Sequence, residues 1–308
     1  MPNIWDFFNT AKKFVQENQP VNWTGALVHP YYWLMSKTED YICNITGNDV
    51  SDEPKKTGVY VVPGTGDFPL SLLRLVNNLI AKGKLHNIKD FTIVSFLNRF
   101  QGKSIDDFAQ ELVDKMVKNK EESVIIAGHS RGGLVGAKAA LMAAKLGIKV
   151  KAVISLATPF NGSYLALPPI TWFSTSVKEM EVGSAYLKEL TNEILKSDIP
   201  HYFMIAGSDE VVRSGAFIQE YVNKHPESML VFKRHGHLSL VSSHELVTTM
   251  HNIILYGKIT SDEKLEQTEE NSLTIDNSSL GFFNLSLDKN SETLTEIVVT
   301  DESTLSPR

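Results

Sequence analysis

Residues 123–133, Ser-Val-Ile-Ile-Ala-Gly-His-Ser-Arg-Gly-Gly, constrain this chain more than any other stretch. An apolar, largely β-branched run leads directly into Gly128-His129-Ser130-Arg131-Gly132, and small helix formers follow over residues 133–146. A strand buried on both faces reads as such a continuous apolar run, and small residues let the next helix lie close on the sheet. A serine at a sharp strand-to-helix turn takes up a strained backbone. Beside it there is room only for residues without a Cβ, here Gly128 and Gly132. The pattern is that of a nucleophile elbow: the turn lifts the Ser130 hydroxyl clear of the sheet. The following helix then aims its dipole and free N–H groups at the charge that develops during acyl transfer.

The remaining elements agree with that core. Strand-like apolar runs recur at 58–62, 91–96, 124–127, 150–156, 201–206 and 229–232. Helical signals lie between them: residues 70–82 end at Gly83, and residues 104–119 begin with Ser104 at a cap position and space Ile105, Phe108, Leu112 and Met116 along one face. Alternating strands and helices predict an α/β fold, a mostly parallel sheet covered by helices on both faces with right-handed crossovers. Residues 160–198 interrupt the rhythm with a long, turn-rich insertion between two strands, in which Leu167-Pro168-Pro169-Ile170-Thr171-Trp172-Phe173 is apolar and 177–195 is helical. A lid or substrate-binding cap and a packing scaffold both have this composition.

The expected organisation is an N-terminal helical segment over 1–54 packing on the core, a catalytic domain over 55–257, and an acidic, disordered tail over 258–308. In the first segment Ile4, Phe7, Phe8, Ala11, Phe14 and Val15 form one helical face, suited to docking on the core or on a membrane surface. From residue 259 onward eleven acidic residues stand against three basic ones, so the tail carries −8 of the net −6 and the body is left at +2. A nearly neutral body lacks the basic stripe of a nucleic-acid binder, so no nucleic-acid partner is expected. A lone cysteine, Cys43, excludes an internal disulfide framework or a cysteine-based zinc cluster. The start of the chain has no secretory pattern and no apolar run reaches transmembrane length, which predicts a cytoplasmic location, with export by a route without a cleaved signal as the alternative.

A serine hydroxyl needs a positioned base, and the base a carboxylate that fixes its tautomer. In folds of this kind the partners follow in the order serine, acid, histidine. Asp209 follows the run 201–206 in a short turn, with Glu210 as the competing acid; His237 follows the last strand-like run, with His235 as its rival. The oxyanion requires two N–H donors. One is the amide of Arg131, directly after the nucleophile, and the other comes from Pro63-Gly64-Thr65-Gly66-Asp67, with Thr65 the candidate. An Arg131–Asp67 ion pair is a further suggestion. Phe160, Trp172 and Phe173 are the candidate substrate contacts. His244 and His251 stand seven apart, but no carboxylate or cysteine completes a ligand set, and Gly64-Thr65-Gly66 lacks the residues of a phosphate loop, so neither metal nor cofactor is expected.

Over about residues 55–257 the sequence resembles lipase-type α/β hydrolases, near the bacterial triacylglycerol lipases and the deacylases of inositol-linked lipids. The resemblance rests on Gly128-His129-Ser130-Arg131-Gly132, on Ala157-Thr158-Pro159-Phe160-Asn161-Gly162-Ser163, on residues 180–190, on the Asp209 turn and on Gly236-His237-Leu238. It implies the α/β-hydrolase fold with Ser130, Asp209 and His237 as nucleophile, acid and base, and an ester or lipid as substrate. Two positions depart from the family pattern: Pro63 stands where the oxyanion loop usually has His, and Phe160 where the Thr-Pro motif often continues with His. The expected activity is serine-dependent hydrolysis of carboxylic esters, most of all lipid esters, with peripheral contact to a lipid surface. A thioesterase, a small-ester carboxylesterase, an acyltransferase or a non-catalytic binding protein on the same fold are the alternatives.

Overall fold

A computed structural model describes residues 31, 34–36, 38–45, 57–96, 102–168, 170–212 and 215–259. The amphipathic helical face expected over residues 4–15 and the acidic tail from residue 260 onward lie outside the described residues.

Seven strands, β1 (Tyr41–Asn44), β2 (Thr57–Val62), β3 (Ile88–Ile93), β4 (Ser123–His129), β5 (Lys149–Leu156), β6 (His201–Ala206) and β7 (Met229–Phe232), form one sheet in the order β1-β3-β2-β4-β5-β6-β7. Pairing is parallel from β3 to β7, while β1 joins the β3 edge antiparallel. This is the mostly parallel sheet of an α/β hydrolase. The central strands β2 and β4 are buried along their whole length, as their unbroken apolar runs dictate.

Helices α1 (Leu70–Ala81), α2 (Ile105–Lys118) and α3 (Arg131–Lys145) follow β2, β3 and β4. The connection between β5 and β6 carries α4 (Ile170–Phe173), α5 (Thr175–Glu179) and α6 (Ala185–Leu195); α7 (Gln219–Lys224) precedes β7 and α8 (His244–Tyr256) follows it. Two apolar clusters result, one on each face of the sheet. Leu112, Ala140, Ile194 and Val222 belong to the face covered by α2, α3, α6 and α7, and Leu75, Leu79, Met250 and Ile254 to the face covered by α1 and α8. Ser104 caps α2 by accepting from the Asp107 amide, and the Asp107 carboxylate accepts from the Ser104 amide in return. Such a box is worth about 1 kcal/mol.

Three elements differ from the expectation. β1 arises in the stretch read as an N-terminal helical segment, because four residues alternating between half-buried and exposed carry too short a period to register. β3 begins at Ile88 rather than Phe91, its charged Lys89-Asp90 hiding the start of the strand. The single helical stretch expected over 177–195 is two helices, separated at residues 180–184 where Gly183 has φ +75°.

Candidate active site

The geometry begins with close backbone approach. Ser130 links β4 to α3 with φ 54° and ψ −127°, its N–H donating to the Leu156 carbonyl at 2.8 Å. A non-glycine residue in such a conformation costs about 1–3 kcal/mol and persists only where its surroundings fix it. Those surroundings are the flanking glycines: a Cβ on Gly128 would fall 2.2 Å from the Gly132 carbonyl oxygen, and one on Gly132 would fall 2.2 Å from that of Val62. Gly133 is equally constrained, since its Cβ would meet Thr158 Oγ1 at 1.9 Å. The Thr158-Pro159 segment after β5 therefore packs on the first turn of α3.

Two loops at the carboxyl ends of β6 and β7 bring Asp209 and His237, the candidate acid and base, together. The Gly207 amide donates to the Phe232 carbonyl at 2.9 Å and the Ser208 amide to the His235 carbonyl at 3.0 Å. A Cβ on Gly207 would lie 2.6 Å from Lys233 Cα. Held there, Asp209 uses Oδ1 to accept from the Val211 and Val212 amides, both at 2.8 Å. Its Oδ2 lies 2.8 Å from His237 Nδ1, and both side chains are buried. Burial opposes the Asp209 charge, but the His237 hydrogen bond and charge and the two amides outweigh it, holding the carboxyl below its ordinary value. A carboxylate can only accept, so Nδ1 of His237 carries the proton of this bond, and His237 lines the cleft. The base loop is braced by the Gly236 amide donating to Ser239 Oγ at 2.9 Å.

The two rivals are separated by position. Glu210 is exposed, while His235 is buried; neither joins Ser130 and His237 in the lining of the cleft. Among the described residues no hydrogen bond joins Ser130 to His237, and such contacts often tighten only when substrate is bound.

The cleft has a volume of about 250 Å³ and contains Thr65, Ser130, Pro159, Leu165, Ala166, Val177, Met180, Val212, His237 and Leu238 among its walls. Thr65 thus reaches the site, and the adjacent Gly64 is so near that a Cβ there would touch Ser130 Cβ at 3.1 Å. The Arg131 amide stands at the first position of α3, directly after Ser130. Arg131 Nη1 donates to Ser176 Oγ at 2.9 Å and its guanidinium lies 4.4 Å from the centre of the Phe108 ring. Asp67 accepts from the Gly64 amide and lies beside His129.

The three aromatic residues expected at the substrate lie elsewhere. Phe160 is 2% exposed and packs edge-on against Phe203 with ring centres 5.3 Å apart, because its apolar ring is worth more in the core than in the cleft. Trp172 and Phe173 are 74% and 76% exposed, outside the lining of the cleft. The apolar wall comes from Leu165, Ala166, Val177 and Met180, of which only Met180 falls in a stretch that carries the family resemblance.

Part of the insertion is firmly attached. The Ser176 amide donates to the Lys103 carbonyl at 3.0 Å, and Glu179 accepts from the Ile105 amide at 2.7 Å. With the Arg131 bond to Ser176 these contacts fix α5 against the start of α2, and α5 carries Val177 into the cleft. Among the described residues no group of three potential metal-ligating side chains is assembled. His251 Nε2 donates to the Gly83 carbonyl oxygen at 2.7 Å, since a carbonyl can only accept. No helix among the described residues is long and apolar enough to cross a membrane.

Comparison with known proteins agrees with this architecture. The family model described as PGAP1-like alpha/beta domain matches residues 92–257. No curated protein matches the sequence. Among solved structures, the mature form of Bacillus licheniformis lipase BlEst2 superposes with a TM-score of 0.51 at 15% identity, over 70% of this chain and 98% of that one. The propeptide form of the same lipase gives 0.53 at 14% identity, over 71% of this chain and 54% of that one. Aspergillus fumigatus lipase B gives 0.53 at 13% identity, over 68% and 54%. The match thus spans about half the length of the last two, and at these identities the likeness is one of fold.

Proposed function

The chain belongs to the PGAP1-like alpha/beta domain family, whose model spans more than half of it, and on that premise we propose that it is a serine hydrolase of carboxylic esters, with lipid esters as its preferred class. The observation that carries the reading is the buried 2.8 Å pair of Asp209 and His237, which opens onto the same cleft as the strained Ser130.

In this reading Ser130 Oγ attacks the ester carbonyl carbon while its proton passes to His237 Nε2, and Asp209 stabilises the imidazolium. The oxyanion is held by the Arg131 and Thr65 amides. Collapse of the tetrahedral intermediate breaks the carbon–oxygen bond to the alcohol, which takes the proton from His237. Water then repeats the sequence on the acyl-enzyme, releasing the acid and restoring Ser130.

The lipid preference is supported by the apolar walls of the cleft and by what lies beside it. Tyr164, Leu165, Leu167, Trp172 and Phe173 are all more than half exposed, and Leu165 belongs both to this group and to the cleft. Clustered exposed apolar side chains mark a contact surface, here suited to the lipid from which an acyl chain would enter.

Labelling with a fluorophosphonate, with p-nitrophenyl esters of increasing chain length assayed in parallel, tests the reading. Labelling that disappears in Ser130→Ala and weakens in His237→Ala, with turnover rising toward long chains, is expected. Preference for the shortest esters would overturn the lipid assignment in favour of a small-ester carboxylesterase. A folded protein with neither labelling nor turnover would overturn the catalytic one.

A further inference from the structure

We propose that His129, together with Asp67, is a positioning residue that ties the oxyanion loop to the loop of the catalytic base; the inference rests on the serine-hydrolase reading above. His129 immediately precedes Ser130, yet its side chain is 2% exposed and takes no part in the chemical steps. Its Nε2 lies 3.0 Å from the backbone carbonyl of His237. A carbonyl only accepts, so His129 donates here through Nε2–H. The two rings lie with centres 5.0 Å apart and planes tilted by 47°, so His129 supports His237 through ring contact as well as through its backbone.

The other edge of the ring faces the oxyanion loop. His129 Nδ1 lies 3.5 Å from Asp67 Oδ2, an electrostatic contact without a hydrogen bond, and the same carboxylate oxygen accepts from the Gly64 amide at 3.3 Å. Gly64 leaves only a tight fit between these groups: a Cβ would sit 3.1 Å from Asp67 Oδ2 and 3.4 Å from His129 Nδ1. One imidazole therefore spans the two loops that must hold their positions relative to Ser130. The path runs by hydrogen bond from the Gly64 amide to Asp67, across the 3.5 Å contact to His129, and by hydrogen bond to the His237 carbonyl. Asp209 fixes the orientation of the His237 ring, whereas His129 fixes the height of its backbone above the nucleophile. An error of about 1 Å in such a placement costs on the order of a hundredfold in rate.

The test uses the full chain with His129→Ala, His129→Gln and Asp67→Asn beside the unaltered protein and Ser130→Ala. Glutamine keeps a terminal N–H donor at a comparable reach while removing the ring. The expected result for His129→Ala is a fall in kcat of about 10–100-fold, the range seen when a group that orients an active-site ligand is removed. KM should change by less than about twofold, because ground-state binding in the cleft is untouched. The rate of fluorophosphonate labelling should fall in parallel, and His129→Gln should recover most of it. Asp67→Asn should slow both turnover and labelling.

A spectroscopic readout accompanies the kinetics. The downfield proton resonance of His237 Nδ1–H, shared with Asp209, should broaden or shift in His129→Ala and return toward its original position in His129→Gln. Equal kcat in the unaltered protein and His129→Ala would overturn the inference, as would a folded His129→Gln no better than His129→Ala. Both outcomes leave Ser130-dependent labelling of the unaltered protein intact, so they are distinct from failure of the hydrolase reading, in which that labelling is absent and this inference falls with it.

Discussion

Asp209 and His237 are 28 residues apart in the chain and 2.8 Å apart in space, on turns that follow neighbouring parallel strands. The contact follows from backbone bonding between those turns, from Gly207 to Phe232 and from Ser208 to His235, so the acid is placed before its side chain is considered. It also discriminates between adjacent carboxylates. Asp209→Asn should reduce kcat by on the order of 10³–10⁴-fold, as when the orienting carboxylate of a serine triad is neutralised. Exposed Glu210→Ala should stay within about twofold. Steady-state kinetics on one soluble ester checks both.

Gly132→Ala is expected to be worse for folding than a surface glycine replacement. A Cβ there would stand 2.2 Å from the Val62 oxygen and 2.7 Å from the Pro63 oxygen, both backbone atoms that cannot swing aside. The change should therefore destabilise by about 2–3 kcal/mol, the upper part of the range for overpacking. It should also shift the loop that carries Thr65. Gly147→Ala is the control: nothing lies within 4 Å, and its φ of +83° leaves only the conformational cost, about 1 kcal/mol. Chemical denaturation of the two variants separates steric from conformational effects.

How much of this site could be read in the sequence depended on whether the constraint was local. Gly128, Ser130 and Gly132 were legible because an elbow demands small residues at fixed spacing, and the helix and strand beside it are regular. Asp209 and His237 were legible as strand-end residues in the required order, although Glu210 and His235 could be set aside only by exposure and by the lining of the cleft. Gly133 gave no sign of its role, since its neighbour Thr158 comes from the loop after another strand, β5. The cleft wall was misread for the same reason: large aromatic residues were expected at the substrate, whereas Phe160 completes the core and the wall is built from Leu165, Ala166, Val177 and Met180. Burial of one ring against Phe203 is a property of the assembled sheet, which the order of residues does not display.

His201, the first residue of β6, gives the fold a dependence on pH that is remote from the chemistry. It is 1% exposed, stacked beside Phe203 and edge-on to Tyr221, and among the described residues neither ring nitrogen has a hydrogen-bond partner. Burial pushes its pKa down from 6.5 to about 3. Between those values the unfolded chain binds a proton that the folded protein refuses, so the folded state loses stability as the pH falls through 6.5 toward 3. The limiting slope for one proton is about 1.4 kcal/mol per pH unit. Asp209 acts in the same direction at lower pH: its depressed pKa gives a contribution that is present well above the ordinary value of 3.8 and is lost as the pH falls below it. Melting temperature measured from pH 7 to pH 4 should fall less steeply in His201→Leu than in the unaltered protein. Equal slopes would show that this histidine accepts a proton while folded.

Trp172 and Phe173 separate surface contact from catalysis because they are exposed and outside the cleft lining, whereas α5, two residues further along, is fixed by Ser176 and Glu179. Replacing both aromatic residues with serine removes apolar area without touching the attached wall. If these side chains enter a lipid surface, the loss of about 1.4 kcal/mol of contact, a fraction of what full burial of two aromatic rings supplies, weakens adsorption roughly tenfold. The double variant should then turn over a dissolved short-chain ester at an unchanged rate while losing about tenfold on emulsified long-chain ester at low interfacial area. The deficit should shrink as lipid area increases, because the defect lies in adsorption. A deficit that persists at saturating lipid, or one shared with the soluble ester, would assign Trp172 and Phe173 to the architecture of the cleft instead.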